Sequence, residues 1–218
     1  MFDKFFEVLI RVIVMFIAFP VHESAHALVA YWLGDDTGKN EKRISLNPFR
    51  HMNLFGALMM VFIGVGWAKP VPINPNKFKN RKFGMALSSL AGPVSNLLLA
   101  YISIVLWRIL YWHLYMNGTI VLAATNAILT FLEFSVVLNI GLAVFNLLPI
   151  PPLDGSRIIT LILPEETYFK IMKYERIIFI GLIITVYSGL LDKPLMLFRE
   201  GTLSIMLFLS KWVDLFFI

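Results

Sequence analysis

His22-Glu23-Ser24-Ala25-His26 places two imidazoles four residues apart, with a carboxylate next to the first. On a helix, positions i and i+4 share a face, so both rings can reach one metal ion. A glutamate one residue on can reach a water at such an ion and act as a general base, the arrangement of zinc hydrolases. The motif lies inside an apolar run from Phe5 to Leu33. Two imidazoles and a carboxylate are costly in hydrocarbon unless they have partners, so a polar cluster there is a functional site by default. The competing reading is a pair of satisfied helix histidines.

A catalytic zinc takes three protein ligands and keeps a fourth position open. The chain has no cysteine, which excludes disulfides and thiolate ligands and leaves histidine and carboxylate. His51 and His113 lie in polar or loop contexts and read as ordinary interfacial residues. Glu133 reads as the outer interface of its apolar run. Asp154 differs, because it sits in Asn146-Leu147-Leu148-Pro149-Ile150-Pro151-Pro152-Leu153-Asp154-Gly155. Prolines unwind the end of that run, and irregular backbone at membrane depth is tolerated only where it is buried or lines a cavity. A carboxylate offered from such a segment is well placed to reach a metal. Its alternative is a helix N-cap for the residues from Ser156 onward.

The elements that must position these groups follow from composition. Of 218 residues, 58% are hydrophobic and 15% charged. A soluble domain carries roughly 25% charged residues. Several runs also exceed the roughly 20 apolar residues that cross a hydrocarbon core. The long apolar runs are 5–33, 83–111, 119–148, 177–191 and 195–217. The first has no small-residue cleavage site after it and reads as a retained span. Residues 54–67 form an apolar run too short for an ordinary span and suited to a re-entrant segment. Arg43 to Leu46 reads as a short strand. Three prolines between Lys69 and Pro75 forbid a helix and allow an extended edge segment.

The net charge of +5 is read as topology, not as nucleic-acid binding. Between Gly34 and Lys82 stand nine Lys or Arg and three acids, whereas Tyr111 to Gly118 holds neither. The positive-inside rule puts the first region in the cytosol and the second outside. The expected fold is an all-α polytopic membrane protein. It has five or six transmembrane helices, with a short re-entrant or extended β segment between the first and second long spans. Five is preferred, because His22 and Asp154 can share an ion only if an even number of crossings separates them. Residues 1–218 read as a single membrane-embedded domain, with a core of roughly 5–160 and accessory C-terminal spans of roughly 172–217.

The motif H-E-x-x-H in one span and N-x-x-P-x-x-x-x-D-G in a later one resembles the site-2 protease family of intramembrane zinc metalloproteases. The residues are His22, Glu23 and His26, then Asn146, Pro149, Asp154 and Gly155, with Ala91-Gly92-Pro93-Val94-Ser95-Asn96 as a further family-like element. The resemblance covers roughly residues 15–160, and the chain looks like a minimal form without PDZ or CBS domains. It implies one zinc ion held by His22, His26 and Asp154, with Glu23 activating the water. It also implies cleavage of substrate transmembrane helices near the cytosolic side, and a small prokaryotic form.

Two asparagines complete the candidate machinery. Asn146 and Asn96 are amide dipoles within apolar helices, able to stabilise an oxyanion or simply to bond between helices. Lys69 to Pro75, with Trp67 at the interface, can pair with an unwound substrate strand or serve as a connector. The competing functions are an ion-site transporter, which would show symmetric halves, and a proteolytically silent scaffold, which would be expected to lack Glu23 or a ligand. Neither pattern is found in the sequence.

Overall fold

Within hydrocarbon a backbone must satisfy its own N–H and C=O groups, so long apolar runs become helices. The computed structural model describes residues 2–51, 69–116 and 123–217. Its first helix, α1, runs Phe2–Trp32, and a short helix α2 follows at Thr37–Asn40. Helix α3 spans Arg81–Met116 and α4 spans Ala123–Asn146. Then come α5 (Asp154–Ile158), α6 (Glu165–Met172), α7 (Glu175–Tyr187) and α8 (Asp192–Leu209), with a 3-10 helix at Lys211–Phe216. No strand occurs among the described residues.

Helix α3 is the central element and packs along both α1 and α4. Small residues are buried along both helices, Ala18, Ala27 and Ala30 on α1 and Ser88 and Ser89 on α3, with Ala27 facing Gly38 of α2. Small side chains let helices approach where lipid offers no hydrophobic drive for association. Toward α4 and α8 the contact is apolar, with Ala100, Ile104, Val136, Ile140 and Met206 forming one cluster.

Among the described residues, three helical segments are long and apolar enough to cross a membrane: Phe6–Trp32, Arg81–Leu114 and Ala124–Asn146. The pair Glu175–Tyr187 and Asp192–Phe216 adds a fourth if its 83° bend joins one span. The five or six crossings expected from the sequence are therefore not carried by the described residues. With 13 residues, α7 is about 20 Å long, short of the roughly 30 Å of hydrocarbon. Its partner α8 lies along the core in a direction fixed by its contacts. Arg199 covers Gly141 near the end of α4, Leu209 accepts from Tyr101 Oη, and Asp214 meets Arg108. The C-terminal helix thus runs the same way as α3. The candidate re-entrant run 54–67, with Trp67, lies outside the described residues.

The short strand expected at 43–46 is absent. Its backbone is engaged by side chains instead: Ser45 N–H donates to Ser24 Oγ at 3.1 Å, and the Ser45 carbonyl takes the His51 ring at 2.7 Å. Residues 69–74 are extended but join no sheet. They are clamped by side chains, since Arg43 donates to the Lys69 and Pro70 carbonyls at 2.6 Å. The fully buried carboxylate of Asp35 accepts from Asn74 N–H at 2.7 Å and from Thr37 N–H at 3.0 Å.

Candidate metal centre

His22 and His26 stand one turn apart on the inner face of α1, both buried. Pro20 precedes them within the same helix, where it leaves the Phe16 carbonyl without its helical donor. The facing turn of α3 holds Gly92 and Pro93. A Cβ on Gly92 would lie 2.4 Å from His26 Nε2 and 2.6 Å from His22 Cε1. Only a residue without a side chain lets α3 come this close, so the glycine is part of the chamber that seats both rings.

Asp154 arrives from the other side. Prolines at 149, 151 and 152 end α4, and the chain restarts a helix at Asp154. Gly155 lets that restart lodge against the end of α4, because a Cβ there would lie 2.2 Å from the Leu147 carbonyl oxygen. The N-cap of α5 is Leu153, and Asp154 is the first residue inside the helix. Its carboxylate is therefore not spent on capping. Asp154 Oδ2 lies 3.2 Å from His22 Nε2 and 3.4 Å from His26 Nε2, and the two nitrogens are 3.0 Å apart.

At least one of the two rings turns a bare nitrogen toward the carboxylate. His26 Nδ1 lies 2.7 Å from the Ser88 carbonyl oxygen, which can only accept. The ring proton is thus on Nδ1, and Nε2 presents its lone pair to His22 and Asp154. Asp154 Oδ2 receives no hydrogen bond. Converging lone pairs on buried atoms call for a cation. Ligand distances of roughly 2.0–2.2 Å around a tetrahedral zinc would separate the ligand atoms by roughly 3.3 Å. The observed separations of 3.0, 3.2 and 3.4 Å fit that requirement.

Glu23 lies beside this triangle, half-buried, and none of the hydrogen bonds or ion pairs among the described residues ties its carboxylate. Asn96 is fully buried one turn beyond Gly92 on α3, and both its amide atoms lack a partner. Asn146 is the last residue of α4, half-buried, immediately before the backbone on which Gly155 rests. Glu133 accepts from Trp107 Nε1 at 3.0 Å in the middle of α4, and His113 is exposed in the last turn of α3. Neither enters the site.

Three contributors escape a reading of residue types. Gly92 entered the sequence reading only as part of a family-like element, and Ser88 acts through its backbone. His51, expected at the interface, is completely buried. It ties three segments together: its ring donates to Ser45 O at 2.7 Å, its carbonyl accepts from Lys69 N–H at 2.7 Å, and Ser45 in turn bonds Ser24 beside Glu23. Burial pushes its imidazole below the usual histidine value, with the nearby Arg43 charge adding to the effect and the Ser45 bond opposing it. The Asn47-Pro48 pair was the available signal, since Asn47 caps the 3-10 helix that delivers His51.

Comparison with known proteins gives the same direction. Residues 111–188 match the model of peptidase family M50. The candidate zinc metalloprotease YwhC of Bacillus subtilis is 41% identical over 189 residues, covering 85% of this chain and 84% of YwhC. The candidate zinc metalloprotease Rip2 of Mycobacterium tuberculosis, in strains H37Rv and Erdman, is 33% identical over 139 residues. That match covers 62% of this chain and about half of Rip2, 50%. No solved structure matches significantly. Identity at that level over most of both chains, with a buried donor triangle of zinc dimensions, places the chain in peptidase family M50, as a zinc metalloprotease of the site-2 type.

Proposed function

We propose that this protein hydrolyses peptide bonds within transmembrane segments of other membrane proteins, using one zinc ion held by His22, His26 and Asp154. The observation that carries the reading is the convergence of His22 Nε2, His26 Nε2 and Asp154 Oδ2, inside an apolar bundle, on the helix that carries Glu23. Zinc, when bound, brings a water to ionise near neutral pH and polarises the scissile carbonyl.

The chain's own groups supply the rest. Glu23 accepts the proton of the attacking water and returns it to the leaving amine. Among the described residues its carboxylate has no hydrogen-bond or ion-pair partner, which suits a group that must change protonation in each turnover. Ser88 holds the His26 ring in the tautomer that leaves Nε2 available. Asn96 and Asn146 are the amides assigned to the developing oxyanion. The unpaired amide of Asn96 supports this for that residue, because a buried amide without partners is costly unless something else bonds it. The clamped extended segment 69–74 supports a role in pairing with an unwound substrate strand, its backbone held straight by Arg43 and Asp35.

The active end of the molecule faces the cytosol in this reading. The ends of α1 and α4 and the start of α3 all lie there, together with the basic loops between Gly34 and Lys82. Lys82 Nζ also donates to the Leu163 carbonyl at 3.0 Å, which keeps the segment after α5 at the same end. The membrane is a prokaryotic plasma membrane, and 1–218 acts as a single catalytic unit with an accessory C-terminal part. A synthetic transmembrane peptide incubated with detergent-solubilised protein tests the activity. Wild type should cut it, and Glu23→Gln should lose at least ~100-fold in rate. Equal rates for the two proteins would remove Glu23 from the mechanism.

A further inference from the structure

Far from the metal centre, a cavity of about 450 Å³ lies between α3, α4 and α8. Ile104, Val136, Val137 and Leu203 give it apolar walls, and Trp107, Arg108, Glu133 and Asp214 also face it. The terminal nitrogens of Arg108 are spent within the protein. Nη1 donates to both oxygens of Asp214, at 2.8 and 2.6 Å, and Nη2 to the Leu207 carbonyl at 3.2 Å. Glu133 accepts from Trp107 Nε1 at 3.0 Å and meets no cation among the described residues. Arg11 of α1 comes near, but it lies over the Phe134 ring, about 100° round α4 from Glu133, and pairs with Glu7. The cavity therefore holds one carboxylate in excess.

The level of this carboxylate in the membrane follows from three helices. On α1 no charged residue stands between Arg11 and Glu23, on α3 none stands between Lys82 and Arg108, and Glu133 is the one charge of α4. Arg11 touches Phe134 and Trp107 bonds Glu133, so these charges share one level. Trp107, Tyr111 and Trp112 gather there too, the residue types that mark a membrane–water interface. In the orientation proposed above, this is the outer headgroup boundary. Glu133 and Val137, one turn apart on α4, are both exposed, so the cavity opens toward lipid. A helix of roughly 10–12 Å diameter would fill 450 Å³ in about one turn. A lipid instead brings a headgroup to the level of Glu133 and an acyl chain to the apolar walls beneath it, and the excess carboxylate selects the sign of the headgroup.

We propose that this cavity binds an outer-leaflet phospholipid whose headgroup ends in an ammonium group. The ammonium donates to Glu133, and the acyl chain lies between α4 and α8, over Val137 and Leu203. Trp107 holds the Glu133 carboxylate toward the headgroup, and the Arg108–Asp214 pair closes the cavity without offering a free cation to a phosphate. The assignment rests on the proposed orientation and not on proteolysis.

The test reads binding alone. Delipidated protein in a non-ionic detergent is titrated with phosphatidylethanolamine and with phosphatidylglycerol of identical chains, and bound lipid is counted by native mass spectrometry. Wild type should hold the ethanolamine lipid about tenfold or more tightly, because its ammonium is attracted where the anionic lipid is repelled. Glu133→Gln keeps an acceptor for Trp107 and removes the charge, so the two affinities should become level. Glu133→Lys should reverse the preference. Val137→Trp, which fills the apolar end of the cavity, should weaken both lipids. Zinc content of each variant checks that the fold is retained. Equal affinities in wild type, an unchanged preference in Glu133→Gln, or undiminished binding in Val137→Trp would overturn the proposal. So would binding of neither lipid with capture of a lysine-flanked transmembrane peptide in their place, which would mark the cavity as a substrate contact.

Discussion

At the scale of the residue, the site depends as much on a missing side chain as on the groups present. His22, Glu23, His26 and Asp154 were legible in the sequence because their types and spacing have few other uses inside an apolar run. Gly92 was not, because nothing in its type says which rings it faces. The 2.4 Å approach of a Cβ at Gly92 to His26 Nε2 leaves no room even for a methyl group. Gly92→Ala should therefore lower zinc affinity by roughly tenfold or more while the protein still inserts and folds. Zinc titration with a competing chelator, alongside circular dichroism, reads both effects. Unchanged affinity would mean that α3 shifts freely and that the close approach is not needed.

At the scale of the element, the helices were read from their apolar runs, and their ends shifted by a few residues. The α1, α3 and α4 assignments needed only length and hydropathy. The connectors needed partners that a single segment does not show. Residues 43–46 have a strand-like pattern, yet Ser24 and His51 occupy the backbone groups that a neighbouring strand would have used. His51 looked like a surface residue because its neighbours are polar, and only the folded loop reveals that it is enclosed. This gives a pH signature. A buried histidine kept below its usual value refuses a proton that the unfolded chain accepts. Stability is then complete at neutral pH and declines as pH falls through about 6.5. The thermal midpoint of the detergent-solubilised protein should drop between neutral and mildly acidic pH. His51→Gln, which retains a donor for Ser45 O, should flatten part of that drop. An identical pH profile in the variant would show that other groups set it.

At the scale of the whole molecule, the sequence led correctly to a membrane-embedded helical protein, and the described residues carry three candidate crossings, or four if the bent C-terminal pair is one span, against the five or six expected. The two C-terminal apolar runs looked like separate spans because hydropathy does not report direction. In the fold, α8 runs alongside α3 in the same sense, and α7 is too short to cross alone. The proposed orientation puts Lys42 and Lys173 on the cytosolic side and Met116 on the outer side. Single cysteines at these three positions, placed in the cysteine-free chain, should separate cleanly when labelled with a membrane-impermeant maleimide. From outside intact cells only the cysteine at 116 should react. Labelling of all three from outside would contradict the orientation.

In the proposed mechanism the buried triangle holds the metal, and Glu23 works beside it without holding it. Metal content of the purified protein, measured by mass spectrometry for wild type, Asp154→Ala, His26→Ala and Glu23→Gln, tests this most directly. Wild type and Glu23→Gln should each carry about one zinc per chain, and the two ligand variants should fall to a small fraction of that. A wild type that stays free of zinc when metal is supplied, or an Asp154→Ala protein that retains it fully, would contradict the account.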